Sequence, residues 1–142
     1  MTQIDFYTRA SDRLRMACIL CGKAWSRGIP VVVATADSAM TEAVDRAMWV
    51  HPATGFLPHV RARHRLAHVT PVILDHELEG IDRRGLLVNL RPDAPDVFSS
   101  FERLIEIVSN DEEDVHAGRQ RYRFYRDRGY EIRTHDLGEV RQ

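Results

Sequence analysis

Three arginines and one tyrosine near the C-terminus have the spacing of a single helical face. Arg119, Tyr122, Arg123 and Arg126 follow one another at steps of three, one and three residues. Residues three and four positions apart are neighbours on an α-helix, so the four side chains are expected to lie together. Arginine presents a planar fork of donors that holds carboxylates and phosphates through paired hydrogen bonds. The pattern therefore predicts an anion-recognition face with an aromatic wall.

Two kinds of ligand suit this face, and a third interpretation needs no ligand. A single nucleic-acid strand would place its phosphates on the arginines and stack its bases on Tyr122. An acidic peptide would place carboxylates on the same groups and insert a hydrophobic end into a nearby pocket. A solvated basic face that only complements the helix dipole is the simplest interpretation. Among the residues round the rest of the helix, which include Arg121, the aromatic Phe124 and Tyr125 are the candidates for the core.

A second cluster, of aromatic and proline residues, follows a predicted helix near the middle of the chain. Trp49, Pro52, Phe56 and Pro58 lie in an irregular stretch that ends at His59. Prolines fix the backbone and can present aromatic rings at a surface, where such rings often anchor protein interfaces. The alternative is that both rings fill the core beneath a long loop. The residues alone favour neither interpretation.

Several familiar site chemistries find little support in the residues. The first predicted strand runs into residues 8–11 without the glycines that let backbone amides approach a pyrophosphate, which disfavours nucleotide binding. Cys18 and Cys21 have redox-pair spacing but fall mid-helix on an apolar stripe, so they are predicted to be core residues. His64 and His68 have the spacing of a helical metal pair, but no glutamate follows His64 as a metalloprotease requires. We therefore predict no catalytic, cofactor or metal site.

Length and composition bound the class of protein. The chain has 142 residues, and residues 1–142 are expected to form one domain. The formal net charge of −1 argues against coating of nucleic acid, which usually takes a strongly basic domain. No apolar run is long enough to span a bilayer, and the N-terminus lacks the pattern of a signal peptide. Two cysteines make no disulfide framework, so we expect a cytoplasmic protein with reduced thiols.

Apolar periodicity predicts strands that alternate with helices. Strands are predicted at residues 4–7, 29–35, 72–74, 86–90, 105–108 and 130–133, with a short helical turn after Asp96. Helices are predicted from Ser11 or Asp12 to Gly28, from Asp37 or Ser38 to Trp49, and from Asn110 to Gly129. This alternation predicts an α/β fold, a single domain with a mostly parallel sheet flanked by helices.

The order of these features resembles the chi family, which are subunits of the bacterial DNA polymerase III clamp-loader complex. The resemblance rests on the run 119–130, the segment 49–59, the opening Ile4–Tyr7, the first helix that ends near Trp25, and the valine strand 31–33. It covers essentially the whole chain. It implies a Rossmann-like α/β fold without a cofactor site, and an accessory subunit that is not itself an enzyme.

The resemblance also implies two protein partners and only indirect contact with DNA. Chi-like proteins pair with the psi subunit of the clamp loader and bind the acidic, phenylalanine-ended C-terminal tail of single-stranded-DNA-binding protein. Carried onto this sequence, the tail site comprises Val108, Arg119, Tyr122, Arg123, Arg126 and Gly129. The psi surface comprises Trp49, Pro52 and Phe56. Direct binding of single-stranded nucleic acid by the C-terminal helix is the alternative function.

Overall fold

Seven strands and three helices make up the part of the chain that the computed structural model describes, residues 1–50 and 57–139. The strands are β1 (Gln3–Ala10), β2 (Val31–Ala34), β3 (His59–Val60), β4 (Val72–Asp75), β5 (Leu86–Asn89), β6 (Arg103–Ser109) and β7 (Ile132–Asp136). The helices are α1 (Arg13–Ser26), α2 (Ser38–Val50) and α3 (Glu112–Asp127), with short 3-10 turns at Ala67–Val69, Asp96–Ser100 and Leu137–Glu139. Within that part of the chain, no helix has the length and apolar character needed to cross a membrane.

The strands form one sheet in the order β3-β4-β2-β5-β6-β1-β7, and every pairing between them is parallel. The predicted α/β fold with a mostly parallel sheet is therefore confirmed. The final strand runs to Asp136, beyond its predicted end at residue 133. Because β6 and β7 flank β1, the helix that joins them, α3, crosses over β1. This crossover places the predicted arginine face beside the first strand of the protein.

Helices cover both faces of the sheet, and the strands alternate their side chains between the two layers. Val31 and Val33 pack with α1 and α2 in one buried cluster. Val32 and Ala34 pack in the other, together with Tyr125 of α3. Because both faces of β2 are buried, the strand needs apolar residues at every position, which accounts for its unbroken valine run.

The first two helices begin at the caps that the sequence predicts. An oxygen of Asp12 accepts a hydrogen bond from the amide of Arg15 at 3.0 Å, and an oxygen of Asp37 accepts one from the amide of Met40 at 2.8 Å. Such bonds satisfy amides that lack partners within the helix. Gly28, with φ of 71°, follows the end of α1 in the left-handed conformation, as predicted.

The capping position of the third helix lies one residue later than predicted. The prediction that Asn110 caps α3 is wrong, because the capping position is held by Asp111, whose side chain accepts no capping hydrogen bond. Instead, Asp114 in the first turn accepts a hydrogen bond from the amide of Ser109 at 2.6 Å and ties the helix to the end of β6. Gly129, with φ of 84°, follows the helix, as predicted.

The two cysteines are core residues of α1, as their position on the apolar stripe predicts. Cys18 and Cys21 are both free thiols and both fully buried. Burial raises the pKa of Cys18 to about 11 and raises that of Cys21 as well. Neither thiol is therefore ionised at neutral pH, whereas redox-active cysteines carry lowered pKa values.

Candidate functional site

The C-terminal helix lies close to the strand that precedes it, where Gly118 of α3 faces Val108 of β6. A Cβ atom placed on Gly118 would lie 2.9 Å from Val108 Cγ2, which is closer than carbon atoms tolerate. Glycine therefore permits an approach that any larger residue would prevent. This approach lets the predicted tail-site residue Val108, which is buried, lie directly beneath the helix.

A buried polar network fixes the rotation of α3 about its own axis. Glu106 of β6 accepts hydrogen bonds from Arg121 Nε at 2.9 Å, from the Tyr125 hydroxyl at 2.5 Å, and from Asn89 Nδ2 at 3.0 Å to each carboxylate oxygen. Arg121 also donates to the carbonyl of Pro92 at 2.8 Å. Only 2% of the Arg121 side chain and none of the Glu106 side chain is exposed. With Arg121 and Tyr125 held inward, the opposite side of the helix faces solvent.

The hydrogen-bond geometry of this network matches an ion pair between Glu106 and Arg121. Burial raises the pKa of the Glu106 carboxyl on balance, although Arg121, Tyr125 and Asn89 act in the opposite direction by stabilising the carboxylate. Burial and the neighbouring carboxylate also raise the pKa of the Tyr125 hydroxyl, which keeps it a hydrogen-bond donor. In each of these hydrogen bonds the partner group is the donor and the Glu106 carboxyl is the acceptor, as an ionised glutamate requires.

The two aromatic residues predicted to face the core do so to different extents. Tyr125 is fully buried, as predicted. Phe124 is half-buried, and its ring lies edge-on to Phe98 with centroids 6.0 Å apart. The guanidinium carbon of Arg128 lies 3.5 Å from the Phe124 ring centroid and covers its outer side. Arg121 is buried as well, in the hydrogen-bond network around Glu106, and helical spacing alone did not predict this.

A groove with a volume of about 360 Å³ runs between α3 and the sheet, beside β1. Three of the predicted tail-site residues line it, namely Val108, Arg119 and Tyr122. Phe6 of β1 and Val115 of α3 contribute further apolar surface. The Tyr122 ring packs edge-on against Phe6, with ring centroids 5.4 Å apart, and so forms a wall of the groove. The groove combines an apolar floor with a cation on its rim.

The other three predicted tail-site residues continue along the helix beyond the groove lining. Arg126 lies seven residues after Arg119, which is about 10.5 Å along the helix axis on nearly the same face. Its Nη2 atom is 3.3 Å from an oxygen of Asp127. Among the described residues, no carboxylate forms an ion pair with Arg119 or Arg123. Gly129 ends the row at the C-terminus of the helix.

One further residue of the groove was not identified from the sequence. Arg9 of β1 lines the groove and has φ of 57°, an uncommon value for a residue other than glycine. Its Nε and Nη2 atoms donate to the two carboxylate oxygens of Asp136 at 2.7 and 2.5 Å. Arg9 lowers the pKa of the Asp136 carboxyl through these bonds. Arg9 lies far from α3 in the sequence, so periodicity along the helix carries no sign of it.

The predicted psi surface is described only in part. Trp49, near the end of α2, has 57% of its surface exposed, which fits the interface interpretation rather than a core role. Its ring lies edge-on to His59, with centroids 4.9 Å apart. The His59 imidazole is buried, and its Nδ1 atom donates to the carbonyl of Leu57 at 2.6 Å. Pro52 and Phe56 lie outside the described residues.

Rossmann-like proteins hold their cofactors at the carboxyl edge of the sheet. In this protein the side chain of Arg13 of α1 lies across that edge. Its guanidinium donates to the carbonyls of Leu90, just after β5, at 2.9 Å and of Ile107, near the end of β6, at 3.2 Å. Its Nε atom also lies 3.5 Å from a carboxylate oxygen of Asp114. Across residues 1–50 and 57–139, no group of three or more histidine, cysteine, aspartate and glutamate side chains is arranged to hold a metal ion.

The fold and the groove define a parallel α/β protein whose candidate site is a surface groove with an apolar floor and a cationic rim. The family model described as "DNA polymerase III chi subunit, HolC" matches residues 1–133. The chain belongs to this family, whose members are accessory subunits in DNA replication. The resemblance predicted from the sequence is therefore confirmed.

Individual relatives agree with the family assignment. The chain is 34% identical to the DNA polymerase III subunit chi of Pseudomonas aeruginosa, over 99% of this chain and 100% of the relative. It is 27% identical to the subunit of that name from Haemophilus influenzae, over 87% of this chain and 86% of the relative. The corresponding subunit of Escherichia coli is also 27% identical, over 84% of this chain and 82% of the relative.

Proposed function

We propose that this chain is a non-catalytic adaptor of the DNA polymerase III clamp loader in the cytoplasm. It links the psi subunit to the acidic C-terminal tail of single-stranded-DNA-binding protein. The observation that carries the proposal is the groove beside α3, where an apolar floor adjoins the exposed residue Arg119. A peptide that ends in phenylalanine needs both features within one residue's reach, because its ring and its terminal carboxylate belong to the same residue.

Each part of such a ligand has a counterpart in the groove. The phenylalanine ring fits the apolar surface formed by Phe6, Val108 and Tyr122, and its burial contributes about 1.5–3 kcal/mol. The terminal carboxylate accepts hydrogen bonds from Arg119, each charge-assisted bond contributing roughly 1.5–3 kcal/mol. Acidic residues that precede the phenylalanine lie beside Arg123 and Arg126. Ordering the flexible tail subtracts from these gains, so we expect a dissociation constant of about micromolar that weakens with salt.

The positions of the two proposed surfaces suit a bridging role. Trp49 belongs to α2, which packs in one layer of the sheet, whereas the groove lies beside α3 in the other layer. In the sheet order, β3 and β4 beside α2 lie at the opposite end from β1 and β7 beside the groove. A partner at Trp49, with Pro52 and Phe56 completing the proposed psi surface, therefore leaves the groove accessible to a second partner.

The alternative, in which the same helix binds a single nucleic-acid strand, needs an accessible ring for base stacking. Tyr122 is half-buried and one side of its ring is occupied by Phe6. The other aromatic residues of α3 are Tyr125, which is buried, and Phe124, which Arg128 covers. The arrangement of these rings favours a peptide that inserts an apolar end over a strand that stacks its bases.

Chemical-shift mapping tests the placement of the tail site. The ¹⁵N-labelled protein would be titrated with an unlabelled peptide of several aspartates followed by a C-terminal phenylalanine. We expect the largest amide shifts at Val108, Gly118, Arg119 and Tyr122, with little change in α2. Shifts centred on another surface would contradict the placement, and saturation without any shift near α3 would exclude the groove as the site.

A further inference from the structure

The groove has a second cation besides Arg119, and that cation already has a carboxylate partner. Arg9 lines the groove from β1, while Arg119 lines it from α3. The Arg9 guanidinium holds both oxygens of Asp136, the last residue of β7, in a paired hydrogen bond. This is the geometry in which arginine binds a peptide carboxylate. Asp136 thus presents to Arg9 the chemical group that an acidic ligand would bring.

The turn after β7 is shaped to keep this pair together. The amide of Gly138 donates to Asp136 Oδ1 at 2.9 Å, which fixes the carboxylate. A Cβ atom placed on Gly138 would overlap the Arg9 guanidinium. Any side chain at position 138 would therefore displace the Arg9 guanidinium from its position beside Asp136. The absence of a side chain at this position is what allows Arg9 to lie across the turn and reach Asp136.

We propose that Arg9 is a second binding residue of the groove and that an acidic ligand must compete with Asp136 for it. The inference rests on the proposed function, because it assigns part of the tail site. When a ligand carboxylate takes one face of Arg9, Asp136 is released to solvent. The pair therefore restrains the affinity for anionic ligands and favours those with enough carboxylates to reach both Arg9 and Arg119.

The exchange is physically accessible because the pair is at the surface. The side chains of Arg9 and Asp136 are 52% and 36% exposed, so water readily replaces either partner. Ion pairs with this exposure contribute little net stability. Separating them consequently costs little, and the released Asp136 carboxylate regains its hydration. A buried pair such as Glu106 with Arg121 has no such freedom.

The test is a set of binding titrations with a labelled peptide of several aspartates and a C-terminal phenylalanine. Asp136→Asn is expected to tighten binding by roughly two- to fivefold, the range of an exposed ion pair. Arg9→Gln is expected to weaken binding by a similar factor. Gly138→Ala leaves the net charge unchanged and is expected to tighten binding by displacing Arg9 from Asp136. Glu42→Gln, on an exposed position of α2, removes one negative charge far from the groove and measures the long-range electrostatic effect.

The decisive comparison combines these variants. If Arg9 receives the ligand, the gains from Asp136→Asn and Gly138→Ala both disappear when Arg9→Gln is added. Gains that persist with Arg9→Gln, or wild-type affinity in Arg9→Gln alone, would overturn the inference. Binding that depends on Arg119 but not on Arg9 would overturn it while leaving the proposed function intact. Failure of the wild-type protein to bind the peptide would overturn both.

Discussion

Glu106 of β6 and Arg121 of α3 form an ion pair 2.9 Å long with almost no exposure to solvent. The pair determines which side of α3 faces outward, because Arg121 and Tyr125 both reach inward to the same carboxylate. Arg119, Arg123 and Arg126, which are proposed to bind the tail, lie on the exposed side of that helix. The proposed recognition at the surface would therefore depend on a charge buried in the core.

The losses of stability from removing the two members of this pair are expected not to add. Arg121→Met leaves Glu106 buried without its ion-pair partner and should lower the free energy of unfolding by about 3–5 kcal/mol. The double variant Glu106→Leu with Arg121→Met should lose clearly less than the sum of the single losses. Urea unfolding followed by circular dichroism measures all four proteins. Strictly additive losses would show that the two residues do not act as a pair.

Two helical glycines provide a matched test of the close approach between α3 and β6. A Cβ atom added to Gly22 of α1 would have nothing within 4 Å, so Gly22→Ala should gain roughly 0.5–1 kcal/mol from helix propensity. Gly118→Ala meets Val108 and should instead lose about 1–3 kcal/mol through overpacking. Thermal unfolding compares the two. Stabilisation by Gly118→Ala would mean that the helix can move away from the strand at no cost.

The ionisation of Asp75 is expected to make the stability of the fold depend on pH in the acidic range. Burial acts to raise the pKa of this carboxyl, but the amides of Glu77, Ala62 and His76, together with the charge of Arg61, outweigh it, and the net pKa is lowered. The pKa of an aspartate in the unfolded chain is near 3.9. A carboxyl whose pKa is lower than this in the folded state stabilises the fold at pH values above the unfolded pKa. That stability is lost as the pH falls through the folded pKa. Asp75→Asn should therefore be less stable than wild type at neutral pH, with the difference shrinking below about pH 4.

Urea unfolding of wild type and Asp75→Asn across this pH range measures the difference. A constant difference at every pH would show that the three amide bonds do not depend on ionisation. Glu79→Gln, at an exposed carboxylate in the same loop, serves as the control and should follow wild type throughout.

The proposed psi surface is tested by Trp49→Ala. Because the Trp49 side chain is largely exposed, the variant should fold and bind the tail peptide normally while losing co-purification with psi. Val69→Ala, at another exposed apolar residue, is the matched control and should retain psi. Retention of psi by Trp49→Ala would remove this residue from the interface. A large fall in melting temperature would instead support the core interpretation.

Most of the fold was predictable because its determinants are local. The unbroken apolar strand at 31–34, the caps at Asp12 and Asp37, and the glycine after α3 all act over a few neighbouring residues. The cap at Asn110 was wrong because aspartate and asparagine are nearly equivalent at that position. Strand order was not predicted, since it depends on pairings between distant segments.

Residue spacing could predict only the part of the site that lies along the helix. Helical spacing placed Arg119 and Tyr122 on one face, and both line the groove. Spacing gave no warning that Arg121 turns inward, because its partner Glu106 belongs to another element. The available signal in the sequence was Glu106, a single carboxylate within the otherwise apolar run 105–108, which needs a buried partner. Arg9 was missed because only the three-dimensional fold brings β1 beside α3.

The most direct test of the central claim is fluorescence anisotropy with a labelled acidic peptide that ends in phenylalanine. The same peptide without that phenylalanine and labelled poly-dT are measured at the same salt, with Arg119→Ala and the exposed control Arg15→Ala beside wild type. We expect peptide binding that is lost with the phenylalanine, reduced about tenfold or more by Arg119→Ala and unchanged by Arg15→Ala, with little poly-dT binding. Poly-dT binding without peptide binding would contradict the adaptor function and identify α3 as a nucleic-acid surface.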